Sequence, residues 1–559
     1  MKPKSQHIIY RQILDISFST RKEALNGQDE ISEIYRKDLL PLINKIFDDV
    51  IPDNEYLRID SLELDLGKIS IRNMRQDLID GIHKQLKDKI VKCVYDSRNK
   101  DVVTSDNVDG YQSTKAEGLR SLPVSQIELF VHFIKTGLLP WWARKTKFVS
   151  LGNLTKKLIK NQPDAMVGIF EDLFSIENYR KRLIHHLSNH ELLKVIELYD
   201  KSWTTKISDI HNDFIAIHQH HQIIPLNKQN FYVFLWDATL KYIFSDSIAY
   251  TISEQKVEKS QVKNKEIHSR RMRISGYINF LVRMLIVKKR SLSSSETNLE
   301  IKKAIHDVIV EMDKKKRALK TPEIKTIFRQ NVDYIFRDKD EPYDRENVVI
   351  NEEENKVSLS ANPDDSSIDS FDKENKGEEI EHRIRSVNKP LELEDSIEVN
   401  NAGLVLLWPY LPMFFEELGL VENKAFVTKD AAYRSTIILQ YLVTGETEFE
   451  EYDLALNKIL CGLPVDEPMP LSFEITHAEI EESQNLLDAV LKNWTALKST
   501  SREGLRQTFL IKQGILKNEM QGWKLIIERS TVDILIDKLP WGISIIKLPW
   551  CEHLLNVEW

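Results

Sequence analysis

Leu14, Ile16 and Phe18 alternate with Asp15 and Ser17, a period of two that predicts a half-buried strand. From Glu30 the period lengthens. Ile31, Ile34, Tyr35, Leu42, Ile43, Ile46, Phe47 and Val50 mark one face of an amphipathic helix. Leu62, Leu64 and Leu66 then alternate with Glu63 and Asp65, Gly67 closes that strand, and Met74, Leu78, Ile82, Leu86 and Ile90 form a second helical stripe. The predicted order over residues 1–97 is β-α-β-α. A two-stranded sheet is marginal in water. Either a C-terminal strand of the same chain completes it, or its open edge docks a partner; both alternatives stand, and the region is read as a docking domain.

A polar linker, residues 98–118, separates this head from a helical middle, residues 119–337. Ile127 to Leu138 is apolar nearly all round and predicts a buried helix, ended by Gly137 and followed by the stiff turn Pro140-Trp141-Trp142. Helical stripes recur over 165–174, 179–187 and 192–199 without a fixed period, which argues against a repeat array. Two stronger stripes follow, Ile274, Tyr277, Ile278, Leu281, Val282, Leu285, Ile286 and then Ile301, Ala304, Ile305, Val308, Ile309, Met312. They predict a basic helical hairpin across the serine-rich turn 291–295. Beyond residue 399 the chain is most aromatic: Trp408, Trp494, Trp523, Trp541, Trp550 and Trp559 fall there. Helical stripes over 431–442 and 480–497 give way to strand patterns over 523–528 and 543–548, with Leu-Pro-Trp triplets at 539–541 and 548–550. Each buried indole needs a partner for its N–H, so these tryptophans are expected as core anchors. The fold class is α+β and helix-rich, with an α+β C-terminal domain over 399–559.

The chain has 559 residues, 42% of them hydrophobic, enough for several packed units. The net charge of −8 hides two opposed blocks: 252–320 carries 18 Lys/Arg and 8 Asp/Glu, and 338–398 carries 20 Asp/Glu and 8 Lys/Arg. The acidic block has few large apolar residues and no periodicity. It cannot offset its ordering entropy and is expected as a disordered linker. Cys93, Cys461 and Cys551 cannot staple a chain this long, and no Cys-x-x-Cys pair suggests zinc. No apolar run suits a leader peptide or a membrane span, so a cytoplasmic protein is expected.

Reactive constellations are few in the sequence. No P-loop, Gly-x-Ser-x-Gly elbow or His-Glu-x-x-His helix is present. His186 and His190, with His185 and Glu191 beside them, are four apart on a predicted helix; His218, His220 and His221 follow Asp213. Neither group supplies a third ligand at set spacing, so surface or capping histidines are expected and no metal. The basic clusters 288–290 and 314–317 sit at helix ends, where cations oppose the negative dipole end, and lack interleaved aromatics, so nucleic acid is not an expected partner. Adjacent acidic pairs (Glu416/Glu417, Glu450/Glu451, Glu481/Glu482) point apart on a helix, unlike a general acid–base couple. Cys461, before Gly462-Leu463-Pro464, has no local base and is expected to be packed. No catalytic, cofactor or metal residues are assigned, and an enzyme is not expected.

The C-terminal region resembles the contractile injection system tape measure family, proteins of phage-tail-like injection machines. The resemblance is carried by Asn401-Ala402-Gly403-Leu404-Val405-Leu406-Leu407-Trp408-Pro409, Leu439-Gln440-Tyr441-Leu442 and Asn457-Lys458-Ile459-Leu460-Cys461-Gly462-Leu463-Pro464. It continues in Leu505-Arg506, Phe509-Leu510, Asp537-Lys538-Leu539-Pro540-Trp541, Leu548-Pro549-Trp550 and Glu558-Trp559. Residues 59–67 and Thr136-Gly137-Leu138-Leu139-Pro140-Trp141-Trp142 are similar to the family as well. The resemblance implies a non-enzymatic assembly component that sets inner tube length with tube and baseplate, incorporated into the particle. A helical adaptor, chaperone or cap for tube or effector subunits is the alternative, and self-association is a further partner class. On this reading the two terminal regions anchor opposite ends.

Overall fold

The computed structural model describes residues 7–51, 55–103, 118–143, 150–254, 274–292, 320–335 and 396–559, apart from residues 8, 10, 11, 60, 322, 471, 472, 498, 520 and 521. It is helix-rich with small sheets. The acidic block up to residue 395, residues 104–117 of the expected linker 98–118, the second helix of the expected hairpin (301–312) and the basic cluster 314–317 lie outside the described residues, while the ends of that linker belong to the helix Met74–Val103 and the strand Gly118–Ser121. Two compact units are present: residues 1–161 together with 392–559, and residues 162–391. The head and the C-terminal domain therefore belong to one unit.

In the head, α1 (Arg21–Ile34) and α2 (Leu40–Val50) are joined by a π turn, Tyr35–Leu39, and α3 runs Met74–Val103. Thr20 and Glu23 form a capping box that starts α1. The predicted stripes are buried as expected: Ile31, Ile34, Ile43 and Ile46 meet Leu78, Ile82, Leu86 and Ile90. The two predicted strands differ from expectation. Residues 12–18 and 61–66 are extended but carry no ladder, and the described sheet here is β1 (Glu55–Arg58) antiparallel to β2 (Gly118–Ser121). Period-two patterning fixes which side chains face the helices. It does not supply a neighbouring strand to bond to.

The head is followed by α4 (Leu122–Thr136), where Gly137, at φ 72°, donates its N–H back to Phe133 O, and by α5 (Leu151–Asn161). Leu138 packs into the core of the C-terminal domain.

The second unit contains α6 (Pro163–Leu173), α7 (Glu177–His186), α8 (Asn189–Glu197), α9 (Trp203–His221), α10 (Lys228–Glu254), α11 (Ile274–Leu292) and α12 (Glu323–Ile335). Phe170, Phe174, Phe214, Phe231, Trp236 and Phe244 fill its core. Asp213 on α9 accepts the backbone N–H groups of Lys320 and Thr321, fixing the approach to α12.

The C-terminal domain carries a five-stranded sheet of order β3-β6-β7-β9-β8, built from Ile397–Val399, Gly514–Glu519, Gly522–Ile527, Leu554–Glu558 and Ile545–Ile546. β7 and β9 are parallel and the other pairs antiparallel; β4 and β5 (Val421–Glu422, Ala425–Phe426) form a separate hairpin. These strands complete one another and do not extend the head's sheet. Leu516, Leu525, Leu555 and Val557 of the sheet share one core with the helices Lys429–Thr444 and His477–Asn493 and the turn Ala402–Leu407. Gly403 lies so close to Phe509 that a Cβ would stand 1.7 Å from its carbonyl oxygen.

Candidate functional site

The sequence segments that set this chain apart, scattered over more than a hundred residues, meet in the C-terminal core. Asn401, from the first, donates from Nδ2 to Gln440 Oε1 (2.9 Å) and Asn457 Oδ1 (2.7 Å). Asn457 in turn donates to Gln440 Oε1 at 3.1 Å and to Thr436 O at 3.0 Å. An amide both donates and accepts, so three of them can hold three backbone segments in one dry place.

Lys458, the next residue, is 1% exposed and faces Glu451, 0% exposed, at 2.9 Å. Its ammonium also donates to Val465 O (3.0 Å) and Glu467 O (2.7 Å), so all three hydrogens are used. Further along the same helix, Cys461 and Gly462 make the stop. Leu463 donates its N–H to Lys458 O at 2.8 Å across Gly462, which sits at φ 68°. Arg506 donates from Nε to Leu442 O at 3.0 Å and lays its guanidinium 5.6 Å from the Tyr441 ring.

Tryptophan indoles tie the tail to these segments. Trp541 Nε1 donates to Leu406 O at 3.0 Å, Trp408 Nε1 to Gly542 O at 2.9 Å, Trp550 Nε1 to Leu460 O at 2.8 Å, and Trp494 Nε1 to Leu535 O at 3.2 Å. Trp559 donates to Asp533 Oδ2 at 3.1 Å, and Asp533 is paired with Lys512 at 2.9 Å. Hydrogen bonds from the Ser530 backbone, Lys512, Trp559 and the Ser530 hydroxyl hold the Asp533 carboxyl below its usual range, against its burial. Five of the six C-terminal tryptophans thus have an indole partner.

The candidate reactive residues are dispersed. His185 and His186 close α7, whereas His190 lies on α8. Ser188 breaks the helix between them and forms a capping box with Glu191, so the expected single helix does not exist. The Ser-x-x-Glu spacing was the signal for that break. His218 stacks on Phe231 at 3.9 Å with its ring Nε2 at 2.9 Å from Leu226 O, and His220 is exposed. Lys289, from the cluster 288–290, donates to Ile223 O at 3.2 Å near the end of α11. Cys461 is buried and its thiol is pushed up by burial; that of Cys551 is pushed up to about 11 for the same reason. Of the acidic pairs, Glu451 is consumed by Lys458. Glu417, exposed, meets the half-buried Glu482, and their shared hydrogen bond and like charge raise the pKa of Glu417. That encounter was invisible to a reading of adjacent residues.

Among the described residues no group of three or more His, Cys, Asp or Glu is placed to hold a metal ion, and no helix is long and apolar enough to cross a membrane. An open groove of about 440 Å³ beside β7 and β9 is lined by Ile526, Ile527, Ile543, Ser544, Val557, Glu558 and Trp559. Its one carboxylate, Glu558, pairs with Lys524 at 2.6 Å.

The polar groups described in this domain hold segments of the chain together. The chain belongs to the contractile injection system tape measure protein family, whose sequence profile matches residues 6–559. No curated protein and no solved structure matches it.

Proposed function

We propose that the chain is a non-enzymatic assembly component of a contractile injection particle, acting with inner tube and baseplate to set tube length. The match of the family over residues 6–559 carries this reading. On it, the head (1–97) and the C-terminal domain (399–559) are attachment modules, residues 98–118 and 338–398 are spacers, and the helical middle (119–337) spans between. The protein is made in the cytoplasm and then incorporated. The test is to delete about thirty residues within 340–395 and measure particle lengths by electron microscopy. At ~1.5 Å per residue a helical ruler shortens the particle by up to ~45 Å. Unchanged lengths would remove this segment from the measured span.

One observation favours a second reading, a cap or an adaptor for tube or effector subunits. Residues 1–161 and 392–559 share a compact unit, whereas a ruler held at two distant ends must part them. Purified particles discriminate: a ruler stays with them, while an adaptor working through its acidic segment is lost and releases its basic partner as salt is raised.

A further inference from the structure

In the head, the extended segment 61–66 has no neighbouring strand among the described residues. Over residues 61–66, Leu62, Leu64 and Leu66 pack on the helices while Glu63 and Asp65 stay exposed. Main-chain groups of alternate residues in an extended strand point to opposite edges. One edge is occupied by side chains of α3: Gln85 Nε2 donates to Asp65 O at 2.6 Å, and Lys89 Nζ donates to Glu63 O. The other edge carries the N–H and C=O groups of Leu62, Leu64 and Leu66, and these make no hydrogen bond among the described residues. The β1–β2 ladder stops at Arg58 and Gly118, short of this edge. A half-buried strand with one open edge is a template for another strand.

Charge selects the strand that fits. Glu63 and Asp65 are exposed carboxylates on the outward face of this strand. Across a strand pair, opposite charges attract and like charges destabilise. The inward side chains of an added strand would extend the layer formed by Leu62, Leu64 and Leu66, which are half-buried against the helices. Gly67, at φ 65°, turns the chain away before Lys68.

We propose that the open edge at Leu62, Leu64 and Leu66 receives an extended segment of a partner protein, one that alternates branched apolar residues with Lys or Arg. The inference rests on the contact role proposed above and names the chemistry of one contact. The full chain is mixed with a blocked octapeptide alternating valine and lysine, or with its valine–glutamate counterpart. Binding is read by fluorescence anisotropy and by hydrogen–deuterium exchange over residues 61–66. The lysine peptide binds about tenfold tighter, two charge pairs changing sign between the peptides. It slows exchange over 61–66, and its advantage fades at about 0.5 M salt. Glu63→Lys combined with Asp65→Lys, both exposed positions, inverts the preference. Unslowed exchange with either peptide, equal affinities, or a preference that survives the charge reversal overturns the proposal. So does protection of 61–66 that rises with protein concentration alone, which would make a second copy the occupant. None of these outcomes depends on particle length, so failure here leaves the assembly role to its own test.

Discussion

Trp408 and Trp541 hold each other's segment: the indole of Trp408 donates to Gly542, the neighbour of Trp541, and the indole of Trp541 donates to Leu406, two residues before Trp408. The two bonds are unequal, because Leu406 is fully buried while the Trp408 bond is exposed to solvent. Trp541→Phe leaves a buried carbonyl without a donor and is expected to cost about 1–3 kcal/mol; Trp408→Phe, whose acceptor can turn to water, about 0.5–1.5 kcal/mol. Hydrogen exchange over residues 396–410 measures both. The double variant is expected to lose less than the sum, since either change already loosens the shared latch.

Lys458 and Glu451 make a sharper case. Lys458→Met strands a carboxylate that is 0% exposed and is expected to cost about 3–5 kcal/mol in urea unfolding followed by exchange over 451–467. Replacing both, as Lys458→Met with Glu451→Leu, removes the stranded charge and recovers part of the loss. Recovery stays incomplete because Val465 O and Glu467 O have lost their donor, a deficit of about 1–3 kcal/mol. Full recovery would show that the carbonyl bonds contribute nothing.

Much of this domain was legible in the chain itself. The stripe over 431–442 became the helix Lys429–Thr444, and the pattern over 523–528 became β7. Five of the six C-terminal indoles find partners as expected, but of these only Trp494 is a buried core residue; Trp408, Trp541, Trp550 and Trp559 are half-buried. The amide cluster was not legible. Asn401, Gln440 and Asn457 are polar letters far apart in sequence, and nothing local says that they meet. The head's strands were half legible: alternation located Leu62, Leu64 and Leu66 against the helices, but pairing is a property of two segments, and the described residues hold only one.

Glycines at two positions predict opposite signs. Gly403→Ala places a methyl 1.7 Å from the Phe509 carbonyl oxygen and 2.7 Å from Leu510 Cα, and because these atoms are backbone, the turn itself must move. The expected cost is about 3 kcal/mol or more. Gly168, inside α6, has nothing within 4 Å of where an added methyl would stand, and Gly168→Ala is expected to stabilise the helix by about 0.5–1 kcal/mol. Thermal unfolding of the two variants beside the parent chain checks both signs.

Acid should act oppositely on the two units through His211 and Asp453. His211, between α9 and α10, has its ring Nε2 2.8 Å from the Thr239 hydroxyl and 3.0 Å from that of Tyr277, and burial holds its pKa down to about 3. An unfolded histidine takes up its proton near ~6.5, so between that pH and about 3 the unfolded chain binds more protons. The stability contributed by neutral His211 is therefore complete above ~6.5 and is lost as pH falls, by at most about 1.4 kcal/mol per pH unit. Burial pushes Asp453 the other way, up to about 6 from an unfolded value near ~3.9. Here the folded state binds the extra proton, so the contribution is complete below ~3.9 and is lost as pH rises through about 6. Hydrogen exchange from pH 4 to pH 7, corrected for intrinsic rates, resolves the units separately. His211→Gln should flatten the profile of the helical unit, and Asp453→Asn that of the C-terminal domain, each without moving the other. If Asp453→Asn leaves its profile unchanged, another carboxyl carries the raised affinity for protons.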